Sequence, residues 1–228
     1  MIPHDTHLQI GSLLFEGLDQ IDLTGPFEVL AQIPNSTYRL YAKTTEPVRD
    51  MRGLRLTPDA ALSDAPQLDV LHVPGGIGQQ ALMEDAAVLD WLRRQAAGAR
   101  CVFSVCTGAL VCGAAGLLKG RRATTHWYAH DFLAKFGAIP VHARVVRDGN
   151  LITAGGVTAG IDFGLAVVAE LLGQAQAEAI QLALEYAPQP PFGAGTPDEA
   201  PAAVLAAVKD RLAPTRKARA AIIESLTV

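Results

Sequence analysis

Short apolar runs alternate with stretches of helical periodicity along most of the chain. The apolar runs are rich in Val, Leu and Ile and are bounded by Gly, Pro or polar residues, which is typical of buried strands. Because strands that alternate with helices build a parallel sheet covered on both faces, we expect an α/β fold with a mainly parallel sheet. The predicted strands are 8–15 (LQIGSLLF), 37–43 (TYRLYAK), 68–76 (LDVLHVPGG) and 101–105 (CVFSV).

Helical periodicity and capping residues predict the helices that connect these strands. The first helix begins near Gly25-Pro26, the second has Asp85 near its N-cap and Gly98 near its end, and a later one stops at Gly137. Asp148-Gly149 is a strong turn signal and predicts a β-hairpin. The predicted helices after the first are 85–99, 107–118, one ending at 137, 158–173 and about 174–185, and the hairpin spans 143–156.

The C-terminal part of the chain differs in composition from the rest. A loop rich in Pro and Gly, APQPPFGAGTPDEAP (187–201), leads into an Ala-rich amphipathic stretch. This stretch is too short and too rich in Ala to form a core of its own, so we expect a docked helical extension. The chain is therefore predicted to be a single domain over 1–228, with its core at about 8–190 and the helical tail at about 191–228.

Charge and composition exclude several classes of partner. The net charge is −4, and Lys and Arg are scattered apart from a short cluster at Arg211–Arg219, so we expect no nucleic-acid partner. No apolar run reaches the ~18 residues of a membrane span, and the first residues do not resemble a secretory signal. Three cysteines without framework or zinc spacing predict a cytoplasmic protein without a metal.

Cys106 lies where the strand 101–105 turns into a helix. Such a turn presents a side chain at the edge of the sheet, and the N–H groups of Thr107 and Gly108 begin the helix unpaired. Together with the helix dipole, they favour an anion, lower a thiol pKa and stabilise a developing oxyanion. The local pattern alone leaves nucleophile and core cysteine equally open for Cys106, whereas Cys101 and Cys112 are predicted to be core residues.

Two further motifs are predicted at the same edge of the sheet, where ligands of open α/β folds bind. Gly75 and Gly76 follow a buried strand and either let the backbone approach a ligand or simply form a turn. Asp22, in LDQIDLTGPFEVL (18–30), either caps a helix or exchanges a proton with the thiol.

Other residues beside these motifs are candidates for the walls of a binding site. His126 in TTHW is either a structural histidine or the base of a Cys-His pair. The predicted pocket lining comprises Ile77, Trp127, Val157 and Thr158.

Four motifs together resemble the ThiJ/PfpI superfamily, a branch of the class I glutamine amidotransferase-like fold. They are DLTGPFEVL, DVLHVPGG, SVCTGALVCGAAGLLKGRRATTHW and GGVTAGIDFGL, and they are spread over about 8–190. The resemblance implies a flavodoxin-like sandwich, a strained backbone at Cys106, a homodimer and no cofactor.

Three classes within this superfamily compete. Transcription regulators add a C-terminal pair of helix-turn-helix motifs, for which the residues after the core leave little room. Chaperones, deglycases and glyoxalases usually place a glutamate near the cysteine, where this chain has Asp22. Isocyanide hydratases are similar in the aspartate of DLTGP, in a cysteine followed by threonine, and in a tail like QLALEYAPQPPFGAGTPD (181–198). The resemblance favours the hydratase, and a non-enzymatic cysteine redox sensor stays an alternative.

The expected reaction converts a small isocyanide to an N-formamide through a thioimidate on Cys106, with Asp22 as general acid and then general base. Asp22 must hold a proton at neutral pH, so we expect burial and the neighbouring thiolate to raise its pKa. Thr107 would orient Asp22 or water through its hydroxyl. The residues expected to bind the substrate or the charge that develops on it are Gly75, Gly76, Gly108, Ile77, Trp127 and His126.

Overall fold

A computed structural model describes residues 6–226, so residues 1–5 and 227–228 of the predicted domain lie outside the described part. The strands are β1 (Leu8–Leu13), β2 (Ser36–Ala42), β3 (Val48–Arg49), β4 (Arg55–Leu56), β5 (Ala60–Ala61), β6 (Val70–Val73), β7 (Cys101–Val105), β8 (Arg122–Ala123), β9 (Ile139–Pro140), β10 (Val145–Asp148) and β11 (Leu151–Ala154). The helices are α1 (Gln20–Leu30), α2 (Gln79–Leu82), α3 (Ala86–Gly98), α4 (Gly108–Ala114), α5 (Ala159–Leu172), α6 (Gln174–Ala183) and α7 (Ala202–Ser225), with 3₁₀ helices at Leu62–Asp64 and Trp127–Phe136.

The main sheet has seven strands in the order β10-β11-β7-β6-β1-β2-β5. Neighbouring strands are parallel except for the antiparallel pair β10–β11 at one edge. The predicted mainly parallel sheet is therefore confirmed. Its parallel geometry brings the carboxyl ends of β1, β6 and β7, three adjacent strands, to one edge.

Helices cover both faces of this sheet, and each face has its own apolar core. On one face, Phe103 of β7 stacks on Phe163 of α5 with ring centroids 4.5 Å apart. On the other face, Leu92 of α3, Phe136 of the long 3₁₀ helix and Ile223 of α7 belong to a second core. These two layers confirm the flavodoxin-like sandwich, and Ile223 shows that the helical extension is docked against it.

The start of α1 differs from its predicted place. We predicted a helix from Gly25-Pro26, but α1 begins at Gln20 because the Asp19 carboxylate caps it by accepting the Ile21 N–H at 3.2 Å. Pro26 lies inside the helix, where it has no N–H to donate to the carbonyl four residues earlier. Asp22 consequently lies in the first turn of α1 instead of in the loop before it.

Two other helix boundaries depend on glycines with positive φ. The predicted stop at Gly137 is confirmed, with φ of 69°, but the ten residues before it form a 3₁₀ helix rather than an α-helix. The helix predicted over 107–118 ends at Ala114, and Gly116 follows with φ of 80°. The predicted hairpin is confirmed as β10–β11.

Within residues 6–226, none of the helices combines the length and the apolar character that a membrane span requires.

Candidate active site

Cys106 has a left-handed backbone conformation, with φ of 54°, directly between β7 and α4. This conformation strains a residue that has a Cβ atom, and the expected strain is confirmed. Neighbouring elements hold it in place: the Cys106 N–H donates to the carbonyls of Ala154 (3.1 Å) and Gly155 (2.9 Å), and its carbonyl accepts the Thr125 hydroxyl at 2.6 Å. The elbow is therefore rigid on both sides of the thiol.

Cys106 is buried, with 7% of the residue exposed. Burial raises its pKa well above the usual value, the nearby Asp22 carboxyl raises it further, and the Thr107 N–H opposes both. We expected the start of the helix to lower this pKa, and that expectation is wrong because desolvation outweighs the single N–H donor. Burial therefore favours the protonated form of the thiol.

Asp22 is fully buried beside this thiol. Its Oδ2 accepts the Gly75 N–H at 2.9 Å, while Oδ1 has no nitrogen or oxygen partner among residues 6–226. Burial raises the pKa of the carboxyl well above its usual range, Asp19 adds to the rise, and hydrogen bonds from Gly75 and Cys106 oppose it. The raised pKa expected for Asp22 is confirmed, and it favours the protonated carboxyl that a general acid requires.

The two glycines after β6, Gly75 and Gly76, lie close to Asp22 and Thr107. A Cβ atom on Gly75 would lie 2.6 Å from the Thr107 nitrogen and 2.8 Å from Oδ2 of Asp22. Gly76 has φ of 122°, and its N–H donates to Oγ1 of Thr107 at 3.2 Å. The amides of Gly75 and Gly76 thus hold Asp22 and Thr107, and the Thr107 hydroxyl pairs with Gly76 and not with Asp22.

The first residues of α4 leave backbone donors near the thiol. Thr107, 4% exposed, directs its N–H at Cys106. A Cβ atom on Gly108 would lie 2.8 Å from the Pro74 carbonyl oxygen, so only glycine lets α4 begin this close to the end of β6. The predicted anion-binding position at the start of the helix therefore rests on the Thr107 N–H.

A cavity of about 310 Å³ lies over Cys106. Its predicted lining residues Ile77, Trp127 and Val157 are present, whereas Thr158 lines a neighbouring cavity. The other residues at the cavity are Asp19, Met51, Arg52, Gly76, Thr107, His126, Tyr128, Val208, Arg211, Leu212, Thr215 and Arg219. One whole wall is formed by α7, which the sequence predicted to dock but not to reach the site.

Arg216 fastens α7 over the cavity. Its guanidinium donates to both carboxylate oxygens of Asp131, at 2.9 and 2.6 Å, and to the Tyr128 carbonyl at 2.7 Å. The Tyr128 hydroxyl in turn donates to the Lys209 carbonyl at 3.1 Å. The 3₁₀ helix and α7 are therefore joined by polar contacts next to the cavity that they share.

His126 lies at the edge of the cavity and not on the thiol. Its Nδ1 accepts the Tyr128 N–H at 3.2 Å and so caps the 3₁₀ helix. Burial lowers the pKa of His126 to about 4, and the charge of Arg219 contributes to this shift. No hydrogen bond joins His126 to Cys106 in the described part of the chain, so the geometry pairs the thiol with Asp22.

Four charged residues at the cavity, Asp19, Arg52, Arg211 and Arg219, were not among the predicted site residues. Asp19 lies three positions before Asp22 in the same motif, and its Oδ2 accepts a hydrogen bond from Arg52 at 3.1 Å. Arg219 belongs to the basic cluster that the sequence shows at its C-terminal end. The motif that contains Asp19 and the basic cluster that contains Arg211 and Arg219 could have indicated these three residues from the sequence. Arg52 lies in a loop with no motif, so no sequence pattern indicated it. Among residues 6–226, no three His, Cys, Asp or Glu side chains gather into a possible metal site.

A comparison with protein-family models matches residues 9–170 to the DJ-1/PfpI family. The chain belongs to the DJ-1/PfpI family. The predicted resemblance to the ThiJ/PfpI superfamily is thus confirmed, and the match includes the residues that carry Asp22, Gly75 and Cys106.

Relatives within the DJ-1/PfpI family extend the match. The isonitrile hydratase of Pseudomonas putida is 56% identical over 217 residues, which are 95% of this chain and 95% of the relative. The crystal structure of a ThiJ/PfpI family protein from Pseudomonas syringae has a TM-score of 0.93 and 44% identity, covering 96% of this chain and 91% of that one. The glutathione-independent glyoxalase DJR-1.2 of Caenorhabditis elegans is 31% identical over 137 residues, 59% of this chain and 73% of the relative.

Proposed function

We propose that this protein is an isocyanide hydratase, a lyase that adds water to a small isocyanide (also called an isonitrile) and releases an N-formamide. The observation that carries the proposal is the buried pair of Cys106 and Asp22, whose pKa values are both raised, beside a cavity of about 310 Å³. The similarity to the Pseudomonas putida isonitrile hydratase over nearly the whole chain supports the same reaction.

In the first step the Cys106 sulfur bonds to the terminal carbon of the isocyanide, and that carbon also takes up a proton. The thiol passes its proton to the Asp22 carboxyl while that carboxyl delivers its own proton to the carbon. No net charge is therefore created in the buried site. The product is a formimidothioate, a thioimidate in which the carbon bears one hydrogen and is doubly bonded to nitrogen. Burial of both groups favours this route because it disfavours free thiolate.

In the second step Asp22 first gives its proton to the thioimidate nitrogen and then, in its basic form, accepts a proton from the water molecule that attacks the carbon. The resulting tetrahedral adduct, which carries one hydroxyl and one N–H, collapses with cleavage of the carbon–sulfur bond. Asp22 passes its proton to the leaving sulfur and takes the proton of the adduct hydroxyl, so the thiol and the carboxyl are both restored as the N-formamide leaves. The sum is one isocyanide plus one water giving one formamide, so the reaction consumes no cofactor.

The residues around the pair serve to hold it in position. The Gly75 amide fixes one oxygen of Asp22 and leaves Oδ1 free for proton transfer. The Thr107 N–H is directed at the sulfur, and Gly76 fixes the Thr107 side chain. We propose that Ile77 and Trp127 enclose the substrate, and that the amide positions at Gly76 and Gly108 contribute to binding it.

A glyoxalase or deglycase is the second candidate, because a glyoxalase is among the relatives. Its aldehyde substrate would also be attacked by Cys106, but the smaller Asp22 stands where that class usually has a glutamate. A redox sensor is a weaker candidate because a buried thiol with a raised pKa is a poor target for oxidation.

The test is formamide production from several alkyl isocyanides by wild type, Cys106→Ala and Asp22→Asn, with Cys112→Ala as the matched control. Cys112 is buried in α4 away from the cavity, so its variant reports on loss of a cysteine without loss of the site. We expect both site variants to lose at least about a hundredfold in kcat and the control to keep its activity. Mass spectrometry should find a Cys106 adduct that wild type forms with isocyanide.

Two results would decide against the hydratase. Wild type that turns over no isocyanide but consumes methylglyoxal would establish the second candidate instead. Full activity in Cys106→Ala would remove the nucleophile from the reaction.

A further inference from the structure

Arg219 is a buried cation that has no ion-pair partner in the described part of the chain. It lies on α7, is 7% exposed and lines the same cavity as Cys106. Its Nε has no hydrogen-bond partner, and it forms no ion pair within residues 6–226. Because buried guanidinium groups are normally paired, this side chain is arranged for a group that enters the cavity.

The neighbouring charges do not neutralise Arg219. The acidic residue at the cavity, Asp19, is committed to Arg52 at 3.1 Å and to the cap of α1. Asp22 lies beside the thiol, and burial raises its pKa, which favours the uncharged carboxyl. Arg211, the other α7 arginine at the cavity, is exposed and also forms no ion pair within residues 6–226. The cavity therefore carries excess positive charge.

Docking of α7 does not account for the burial of Arg219. Arg216, three residues earlier, already joins this helix to Asp131 and Tyr128. Arg219 instead lies close enough to Cys106 and His126 for its charge to act on both groups. Burial lowers the pKa of Arg219, which measures the cost of holding the charge without an anion.

The geometry points to a substrate carboxylate as the missing partner: the cavity binds isocyanides that carry a carboxylate, which Arg219 holds while the isocyanide carbon meets Cys106. The planar fork of a guanidinium matches a carboxylate with two parallel hydrogen bonds. Val208 and Leu212 line the wall beside Arg219 and suit a short alkyl spacer. A cavity of about 310 Å³ limits the substrate to a small molecule. This assignment rests on the proposed hydratase function.

The test compares two substrates of nearly equal shape, isocyanoacetate and isobutyl isocyanide, in which a carboxylate replaces an isopropyl group. We expect wild type to show a higher kcat/KM for isocyanoacetate. Arg219→Met should lower kcat/KM for the anion by roughly ten- to hundredfold and for the neutral substrate by less than about threefold. Lys217→Met is the matched control because Lys217 is exposed on the same helix and lies outside the cavity, and it should change neither value.

A second variant and a binding measurement test the carboxylate site at Arg219 separately from the proposed hydratase function. Arg219→Gln keeps a polar side chain of similar length, and melting curves establish that each variant is folded. Equal losses on both substrates would overturn the carboxylate assignment, because Arg219 would then act on the thiol. Binding of N-formylglycine, the hydration product of isocyanoacetate, requires no turnover. Its loss in Arg219→Met and Arg219→Gln, with binding kept in Lys217→Met, would support the anion site even if no isocyanide were hydrated.

Discussion

The Gly75 N–H donates a 2.9 Å hydrogen bond to Oδ2 of Asp22 and so joins the end of β6 to the first turn of α1. This bond occupies Oδ2 of the buried carboxyl, whereas Oδ1 has no nitrogen or oxygen partner among residues 6–226. The absence of a side chain at Gly75 allows the approach, because a Cβ atom there would lie 2.8 Å from Oδ2. The glycine is thus a positioning residue for the acid.

Gly75→Ala should separate Asp22 and Thr107 from Cys106. Overpacking of this buried position is expected to cost about 1–3 kcal/mol of unfolding free energy and to lower kcat by roughly a hundredfold or more. Gly193→Ala is the control, because a Cβ atom on Gly193 meets nothing within 4 Å. Denaturant titrations and initial rates measure the two effects, and a fully active Gly75→Ala would contradict the positioning role.

Asp22→Asn should lose activity, and its free energy of unfolding should increase relative to that of wild type as pH rises. A carboxyl whose pKa is raised on folding contributes stability that is full below its unfolded pKa, near 3.8, and is lost as pH rises through the folded value. Asparagine can still accept the Gly75 N–H but does not ionise. The unfolding free energy of the variant minus that of wild type should therefore increase between about pH 4 and pH 7.

Denaturant titrations at several pH values measure this difference for Asp22→Asn. Asp198→Asn, the same substitution at an exposed position, is the control. A flat difference for Asp22→Asn would show that its carboxyl is not held protonated.

Glycine should be more stable than alanine in place of Cys106, whereas alanine should be more stable than glycine in place of Cys112. Glycine adopts the φ of 54° at Cys106 without strain, so Cys106→Gly should be about 1 kcal/mol more stable than Cys106→Ala. Cys112 is inside α4, where Cys112→Gly should be about 1 kcal/mol less stable than Cys112→Ala. Thermal melts of the four variants test the reversal, and the same order at both sites would refute strain at the elbow.

His126 should act as a cap and not as a base. His126→Ala is expected to cost about 1 kcal/mol, whereas His126→Asn keeps an acceptor for the Tyr128 N–H and should cost little. Because burial lowers the pKa of His126 to about 4, the histidine is neutral at neutral pH. The shape of the kcat/KM profile of His126→Asn should match that of wild type between about pH 5 and pH 8. If a titration step of the wild-type profile were absent from that of His126→Asn, His126 would be assigned to proton transfer.

Arg216→Ala should loosen the wall that α7 forms. It removes the hydrogen bonds to Asp131 and the Tyr128 carbonyl, so we expect faster hydrogen exchange over Ala202–Ser225. KM should rise by roughly three- to tenfold with a smaller change in kcat, because the reacting pair is on other elements. Lys217→Ala, at an exposed position of the same helix, is the control. Unchanged exchange would show that apolar packing alone docks α7.

The strands that carry the site could be predicted because their apolar runs are uninterrupted. β7 has its predicted bounds, and Cys106 follows it as the turn pattern indicated. The start of α1 was misplaced because Gly25-Pro26 looks like a helix start, whereas the actual cap is Asp19. The short strands β3, β4 and β5 escaped prediction because two residues show no periodicity.

The protonation of the site depends on tertiary burial. A helix start beside Cys106 predicts a lowered thiol pKa, but the dry environment built by several elements reverses the direction. The proximity of Arg219 to Cys106 likewise depends on how α7 folds back over the sheet, which no local pattern encodes. The homodimer inferred from the family resemblance stays a prediction.

The α7 wall of the cavity belongs to a different part of the fold from the elements that hold Cys106 and Asp22. Cys106 and Asp22 are held by the sheet edge and the first turns of α1 and α4, whereas Val208, Leu212 and Thr215 meet the cavity from a helix added outside that framework. Substitutions along this one face of α7 can therefore change which molecules fit without altering the strained elbow. Because α7 lies outside the framework that holds the thiol and the carboxyl, the shape of the cavity and the geometry of the elbow can change independently of each other.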